Sequence, residues 1–325
     1  MIRTIAVFAL LTLTACAPAP ATTLPPTLTP LPPPTAKLEP LPTLMLMPTS
    51  TPARAVPNFE HIVFIIFENR EFGSVIGSNS APYFNILAET NTLLTEYYSL
   101  RHPSLPNYIG LIGGDTFGIT SDCSDCFINA KSLPDLIEAS GRTWKTYQED
   151  MPSPCYVGDT QVYVQKHNPY IYFDPIRLDP ERCKRSIVPL TELDADISSR
   201  SLPNFIHITP NLCYSAHSCA LEMADPWLDT LLDRLVPALE ADGKPYLIVV
   251  TWEEGQTGKG CCGLQEPAGG RVATILISPR ARENFRDDTP YTHYSLLKTV
   301  SEAWGLPLLG HAADAGTSLI ERPWK

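Results

Sequence analysis

Four short apolar, β-branched runs recur along the chain, at His61–Phe67, Asn204–Thr209, Tyr246–Thr251 and Val272–Ser278, each bounded by polar or turn residues. Runs of this length without polar alternation predict strands buried on both faces of a largely parallel sheet. Between them, apolar positions recur at three- and four-residue spacing and predict helices over 82–93, 132–140, 226–241 and 293–304. The third of these, WLDTLLDRLVPALEADG, closes at Gly243, a helix-stop residue. Strands alternating with helices predict an α/β fold, a doubly wound and largely parallel sheet with helices on both faces. In such sheets the working groups gather beyond the carboxyl ends of the strands.

Upstream of the first strand the pattern changes. Residues 1–16, MIRTIAVFALLTLTAC, carry one early positive charge at Arg3 and then an apolar run too short to span a bilayer, which reads as a signal peptide. The run ends in Leu13-Thr14-Ala15-Cys16, which resembles a bacterial lipobox, so a lipid on Cys16 and an extracytoplasmic, membrane-anchored location are expected. Of the 33 prolines, 13 fall within residues 17–57, which are otherwise Thr, Ala and Leu with almost no charge. That composition predicts a semi-extended tether, leaving residues 58–325 as the catalytic domain.

The chain carries 24 basic and 35 acidic residues, a net charge of −11. The acid excess is greater still beyond residue 57, because Arg3, Lys37 and Arg54 precede it against the single acid Glu39. Such a domain lacks the Lys and Arg that track phosphate backbones, which argues against nucleic acid as a partner. Eight cysteines remain beyond Cys16, an even number that suggests disulfides outside the cytoplasm. Cys213 with Cys219, Cys123 with Cys126 and Cys155 with Cys183 are plausible closures. A zinc site from Cys123, Cys126, Cys261 and Cys262 is the alternative, and spacing alone does not fix the connectivity.

The chemistry sits at strand ends. HIVFIIF runs directly into Glu68-Asn69-Arg70, and YLIVVTW directly into Glu253-Glu254. Three carboxylates and an amide delivered to one edge repel one another unless a cation separates them, and a hard divalent metal takes oxygen ligands of this kind. Ser104 stands just ahead of an apolar stretch with Pro106 in its first turn, the position of a helix N-cap serine. The same position surrounds a hydroxyl with unpaired N–H groups that bind phosphate oxygens.

Six segments, FENREFGSVIG (67–77), HPSLPNYIGLIGGDTFGI (102–119), ITPNLCYSAHSC (208–219), VVTWEEG (249–255), RVATILISP (271–279) and THYSLLKTVSEAWGLPLLG (292–310), together resemble the phosphoesterase family. That family joins acid phosphatases with bacterial phospholipases C inside the alkaline-phosphatase-like superfamily. The resemblance implies an alkaline-phosphatase-like core and a metal-dependent attack of Ser104 on phosphorus, giving a phosphoserine that water hydrolyses. It further implies Glu68, Asn69, Ser104, Glu253 and Glu254 as ligands of a divalent metal, and His217 as a histidine that holds or protonates the phosphate. His102, two residues before Ser104, is a candidate base. Two departures stand out: Glu253 stands where the family usually has an aspartate on the later strand, and Tyr214, Ser215 and Ser218 stand where the family has acidic residues around His217.

The expected substrate is a small phosphate monoester. Within the family, phospholipases C generally carry β-rich domains after the core, whereas little of this chain follows residue 310, and the acidic surface repels anionic headgroups. A phospholipase C-type diesterase and a catalytically inert, lipid-tethered binding lipoprotein are the alternatives. A sulfatase is disfavoured because Tyr108 occupies the position of its arginine.

Overall fold

A computed structural model describes residues 55–241 and 243–325. The leader, Cys16 and most of the proline-rich segment lie outside the described residues. The strands are β1 (His61–Phe67), β2 (Thr92–Leu94), β3 (Tyr97–Tyr98), β4 (Trp144–Gln148), β5 (Ile187–Pro189), β6 (Phe205–Thr209), β7 (Tyr246–Trp252), β8 (Thr274–Ile277), β9 (Phe285–Asp287) and β10 (Tyr291–Thr292). The helices are α1 (Phe72–Val75), α2 (Pro82–Thr90), α3 (Ser104–Gly113), α4 (Leu133–Ala139), α5 (Asp174–Arg177), α6 (Pro180–Ser186), α7 (Glu192–Ser198), α8 (Leu221–Glu240) and α9 (His293–Trp304).

Eight strands form one mixed sheet in the order β5-β4-β6-β1-β7-β8-β2-β9, and β10 with β3 forms a separate two-stranded ribbon. Pairings are parallel except those of β8 with β7 and with β2. Every residue of β1 and β7 is buried, so both sheet faces are covered, as unbroken apolar runs require. α2 packs with α8, and α3 packs with α9.

The pairing of β1 with β7 positions the site. It is parallel and in register from His61↔Tyr246 to Phe67↔Trp252. Both strands therefore end at one level, and the next residues, Glu68 and Glu253, emerge side by side. The Glu253 amide still donates to Phe67 O at 3.0 Å, extending the ladder one step. Beneath them Phe67, Phe84 and Trp252 pack with centroids 4.9 to 5.3 Å apart, a rigid apolar floor.

Several expected boundaries shift for identifiable reasons. α2 stops at Thr90, because Thr92–Leu94 pairs with β8 and β9 as a strand. α8 starts at Leu221, ahead of the expected 226, and carries Pro226 inside it. β4, WKTYQ, was not expected at all; its apolar run is too short to signal a strand, yet it pairs with both β5 and β6. The zinc alternative is excluded by the pairing of its cysteines, since Cys123 bonds Cys126 and Cys261 bonds its neighbour Cys262. Cys155–Cys183 and Cys213–Cys219 complete the set.

Candidate active site

α3 begins at Ser104, and every residue of it is buried. Ser104 is not the cap that its sequence position suggested: Pro103 occupies the cap position, and the Leu105 amide, which has no partner within the helix, donates to Asp122 Oδ1 at 3.0 Å. The serine hydroxyl is thereby freed and faces the strand ends. Asn107, one turn on, fixes the approach: its Oδ1 accepts from the amides of Leu100 and Arg101, and its Nδ2 donates to Arg101 O and Pro103 O.

Ser104 Oγ lies 3.0 Å from Glu253 Oε1, 3.3 Å from Glu68 Oε2 and 3.4 Å from Glu254 Oε1. One hydroxyl thus stands among three carboxylates from two strands, with Glu68 0%, Ser104 1%, Glu253 1% and Glu254 4% exposed. Burial pushes the Glu68 carboxyl up to about 7, and it raises Glu253 well above the usual range, with repulsion from Glu68 and Glu254 adding to it. Burial raises Glu254 as well, against the pull of His102. Three acids that burial forces toward neutrality are a site that favours a positive charge in their midst.

Asn69 completes this group. Its backbone is left-handed, φ 47°, a conformation asparagine tolerates. This turn brings its amide to Glu253 Oε2 at 3.2 Å and leaves its side-chain Oδ1 buried with no hydrogen-bond partner among the described residues. A buried amide oxygen without a donor, beside three buried carboxylates, is a hard-oxygen ligand set, and the residues present fit a divalent cation.

The histidines divide. His102 Nδ1 lies 2.6 Å from Glu254 Oε2 and its Nε2 lies 3.0 Å from Thr257 O, so both ring nitrogens are engaged away from Ser104. Both partners are acceptors, so either the imidazole carries two protons or Glu254 carries one. His217 is partly exposed and bonds Ser218 Oγ at 3.0 Å, and burial lowers its affinity for a proton. It stands beside the carboxylate cluster rather than in it: one ligand atom each of Glu68, His167 and His217 lie within 4.8 Å of one another.

His167 and its neighbour Lys166 were not anticipated. His167 Nε2 is 3.2 Å from Glu68 Oε1, without the alignment of a hydrogen bond, and burial drives its pKa well below the ordinary value, so it is neutral. Lys166 Nζ pairs with Asp122 Oδ2 at 2.7 Å, and its charge acts on Glu68 and Glu253. Both belong to a stretch without periodicity between β4 and β5, and a long irregular connection was the available signal. Tyr108 also went unanticipated; it lies four residues after Ser104, on the same helix face, and donates to Glu68 Oε1.

The ring of supports is tight. Arg70 Nη2 donates to Ala216 O and Cys219 O, clamping the loop that carries His217. Glu71 accepts from the amides of Gln256, Thr257 and Arg271, which holds the loop after Glu254. His293, at the start of α9, meets Glu253 O through Nε2 at 2.7 Å.

Residues 78–307 match the Phosphoesterase family. A phosphate-repressible acid phosphatase of Penicillium chrysogenum is 35% identical over 274 residues, which cover 81% of this chain and 63% of the fungal protein. The chain thus spans about three fifths of the length of the fungal acid phosphatases it matches. A phosphatidylinositol-3-phosphatase of Mycobacterium tuberculosis is 29% identical, covering 81% of this chain and 83% of that protein. Among solved structures, a protein in the alkaline phosphatase superfamily from Vibrio parahaemolyticus superposes with a TM-score of 0.55 at 11% identity, over 80% of this chain and 71% of the other, and so shares its fold. The family match takes in well over half of the chain, and the chain belongs to the phosphoesterase family.

Proposed function

We propose that the chain is a metal-dependent phosphomonoesterase that works through a phosphoserine at Ser104. The observation that carries this reading is the placement of Ser104 Oγ within 3.4 Å of three buried carboxylates at the first turn of a buried helix. Glu68, Asn69, Glu253 and Glu254, with Ser104 itself, would hold the cation. When bound, it would offset the repulsion among the carboxylates and lower the pKa of the serine hydroxyl.

The chain's own residues then account for the rest. Ser104 Oγ attacks phosphorus, the bond to the leaving alcohol breaks, and a proton passes to the alcohol oxygen. Water next attacks the phosphoserine, which restores the serine and releases inorganic phosphate. Lys166 at the edge of the cluster supplies positive potential for the phosphate oxygens, and His217 is placed to hold them by a hydrogen bond. His102 acts as a positioning residue: its bond to Glu254 and to Thr257 O fixes which Glu254 oxygen faces Ser104. The longer Glu253 is accommodated here, since its Oε1 still reaches Ser104 while its Oε2 takes the Asn69 amide.

The relatives named acid phosphatase and phosphatidylinositol-3-phosphatase both point to a phosphate monoester, and a small phosphorylated alcohol is the substrate class we assign. We further propose an extracytoplasmic location with a lipid on Cys16, supported by the leader and by the disulfides. The catalytic reading is tested with p-nitrophenyl phosphate. Ser104→Ala is expected to keep the wild-type circular dichroism spectrum and lose about a thousandfold or more in turnover, and a chelator is expected to abolish wild-type activity reversibly. A Ser104→Ala protein with near-wild-type turnover would overturn the assignment.

A further inference from the structure

A cavity opens beside His102. Its volume is about 420 Å³, and its walls include Arg101, His102, Thr116, Gln265, Tyr294 and His311. His102 links the cavity and the site: its Nδ1 bonds Glu254 at the carboxylate cluster, and the residue also lines this cavity. The cavity thus abuts the side chain that bonds Glu254, and it is large enough for several heavy atoms.

Arg101 is the unusual member of the wall. Its Nε is buried and has no hydrogen-bond partner among the described residues. Of the arginines nearby, Arg271 pairs with Glu96 at 2.9 Å, and Arg70 donates through Nη2 to two carbonyls although its Nε, like that of Arg101, has no partner among the described residues. The Arg101 charge is close enough to Tyr294 to act against the upward push of burial on that phenol. Two carboxylates also line the wall: Asp314, taken by His311 at 2.8 Å, and Glu266, exposed on the loop that follows the vicinal disulfide Cys261–Cys262. Among the described residues no carboxylate pairs with Arg101, so its charge stands at the cavity wall open to a ligand anion.

The backbone around Arg101 is fixed. Asn107 holds its amide and its carbonyl. A Cβ on Gly269 would stand 2.8 Å from Arg101 O and 2.9 Å from Arg101 N, so only glycine admits this approach. The guanidinium is thus presented from a rigid segment three residues before Ser104, which is how a selective anion anchor is built.

We infer that this cavity receives the alcohol portion of the substrate and that Arg101 binds a second anionic group on it, a carboxylate or a further phosphate. The inference rests on the phosphomonoesterase reading and names its substrate class: phosphate monoesters whose alcohol itself carries an anion. Arg101 is a specificity-determining residue, separate from the groups at the reacting phosphorus.

Matched pairs of esters test it in the full-length, metal-loaded protein: glycerol 3-phosphate against 3-phosphoglycerate, and fructose 6-phosphate against fructose 1,6-bisphosphate. In the wild type the ratio of kcat/KM, doubly anionic over singly anionic, is expected to exceed one for at least one pair, which also tells carboxylate from phosphate. Arg101→Gln is expected to lower that ratio about ten- to a hundredfold, mainly through KM, the range of one charge-assisted hydrogen bond. Arg101→Lys is expected to recover part of it. A wild-type ratio at or below one in both pairs would overturn the inference whether or not Arg101→Gln folds, as would a ratio that Arg101→Gln leaves unchanged. Hydrolysis of p-nitrophenyl phosphate in the same preparation separates the two readings: if it proceeds, the specificity inference alone fails; if no ester is hydrolysed, both fail.

Discussion

Replacing Tyr108 with phenylalanine isolates the support behind a single carboxylate. The phenol donates to Glu68 Oε1, and the other oxygen of Glu68 is the one that faces Ser104 Oγ at 3.3 Å. The ring itself stacks on His167 at 5.6 Å and on His207 at 6.3 Å, and phenylalanine keeps both contacts. What is lost is one hydroxyl and one hydrogen bond to a buried acid, worth about 1.5–3 kcal/mol. At about 1.4 kcal/mol per factor of ten, that corresponds to about ten- to a hundredfold in cation affinity, the range in which groups supporting a metal ligand act. The Tyr108 bond lowers the Glu68 pKa, so Tyr108→Phe raises it further and makes the free carboxyl harder to ionise. Competition between the protein and a chelator of known affinity reads the first effect directly, with turnover at saturating cation as the control. Weaker cation binding with turnover largely restored at high cation is the expected result. Unchanged cation affinity in a correctly folded Tyr108→Phe would refute the placement of Glu68 in the cation site.

Three further outcomes follow from the geometry. Asp122→Ala removes the acceptor for the first free amide of α3 and should lower the stability to urea by about 1–2 kcal/mol, whereas Asp122→Asn keeps an acceptor there and should recover most of it; equal behaviour of the two variants would count against the cap. His207 is buried and its pKa is depressed to about 3, so it binds no proton when folded but does when unfolded. Its contribution is complete above pH 6.5 and is lost as pH falls toward 3; between pH 7 and pH 4 the wild type should lose about 3 kcal/mol more than His207→Phe, measured by parallel denaturant titrations, and a pH-independent gap between them would contradict this. Cys16→Ser should move the protein from the membrane fraction to the supernatant, and identical partitioning of the two would end the lipid-anchor proposal.

The parts of the fold that were readable in the sequence are those whose burial is uniform. β1 and β7 lie between two layers, so their apolar runs are unbroken and their ends, Phe67 and Trp252, point straight to Glu68 and Glu253. β4 is buried too, but its WKTYQ carries polar side chains that find partners inside: Lys145 and Tyr147 both reach Asp196. Tertiary pairing decided that strand, and no local pattern could. Ser104 was located but its role in the helix was not, because the residue that caps α3, Asp122, lies far along the chain. Lys166 and His167 sit near short 3₁₀ turns over 165–172, whose contacts follow no helical or strand period. Their place beside Glu68 is a product of chain path rather than of pattern.

The central claim is that Ser104 becomes phosphorylated during turnover. The most direct measurement mixes enzyme with p-nitrophenyl phosphate in a rapid-quench device, stops the reaction in acid within a single turnover, and maps the phosphoryl group by peptide mass spectrometry. The account predicts a burst of p-nitrophenol matched by phosphoserine at residue 104, with no phosphoryl group on Ser104→Ala. Release of phosphate in step with p-nitrophenol from an unmodified chain, or a phosphoryl group on His102 or His217 instead, would contradict it.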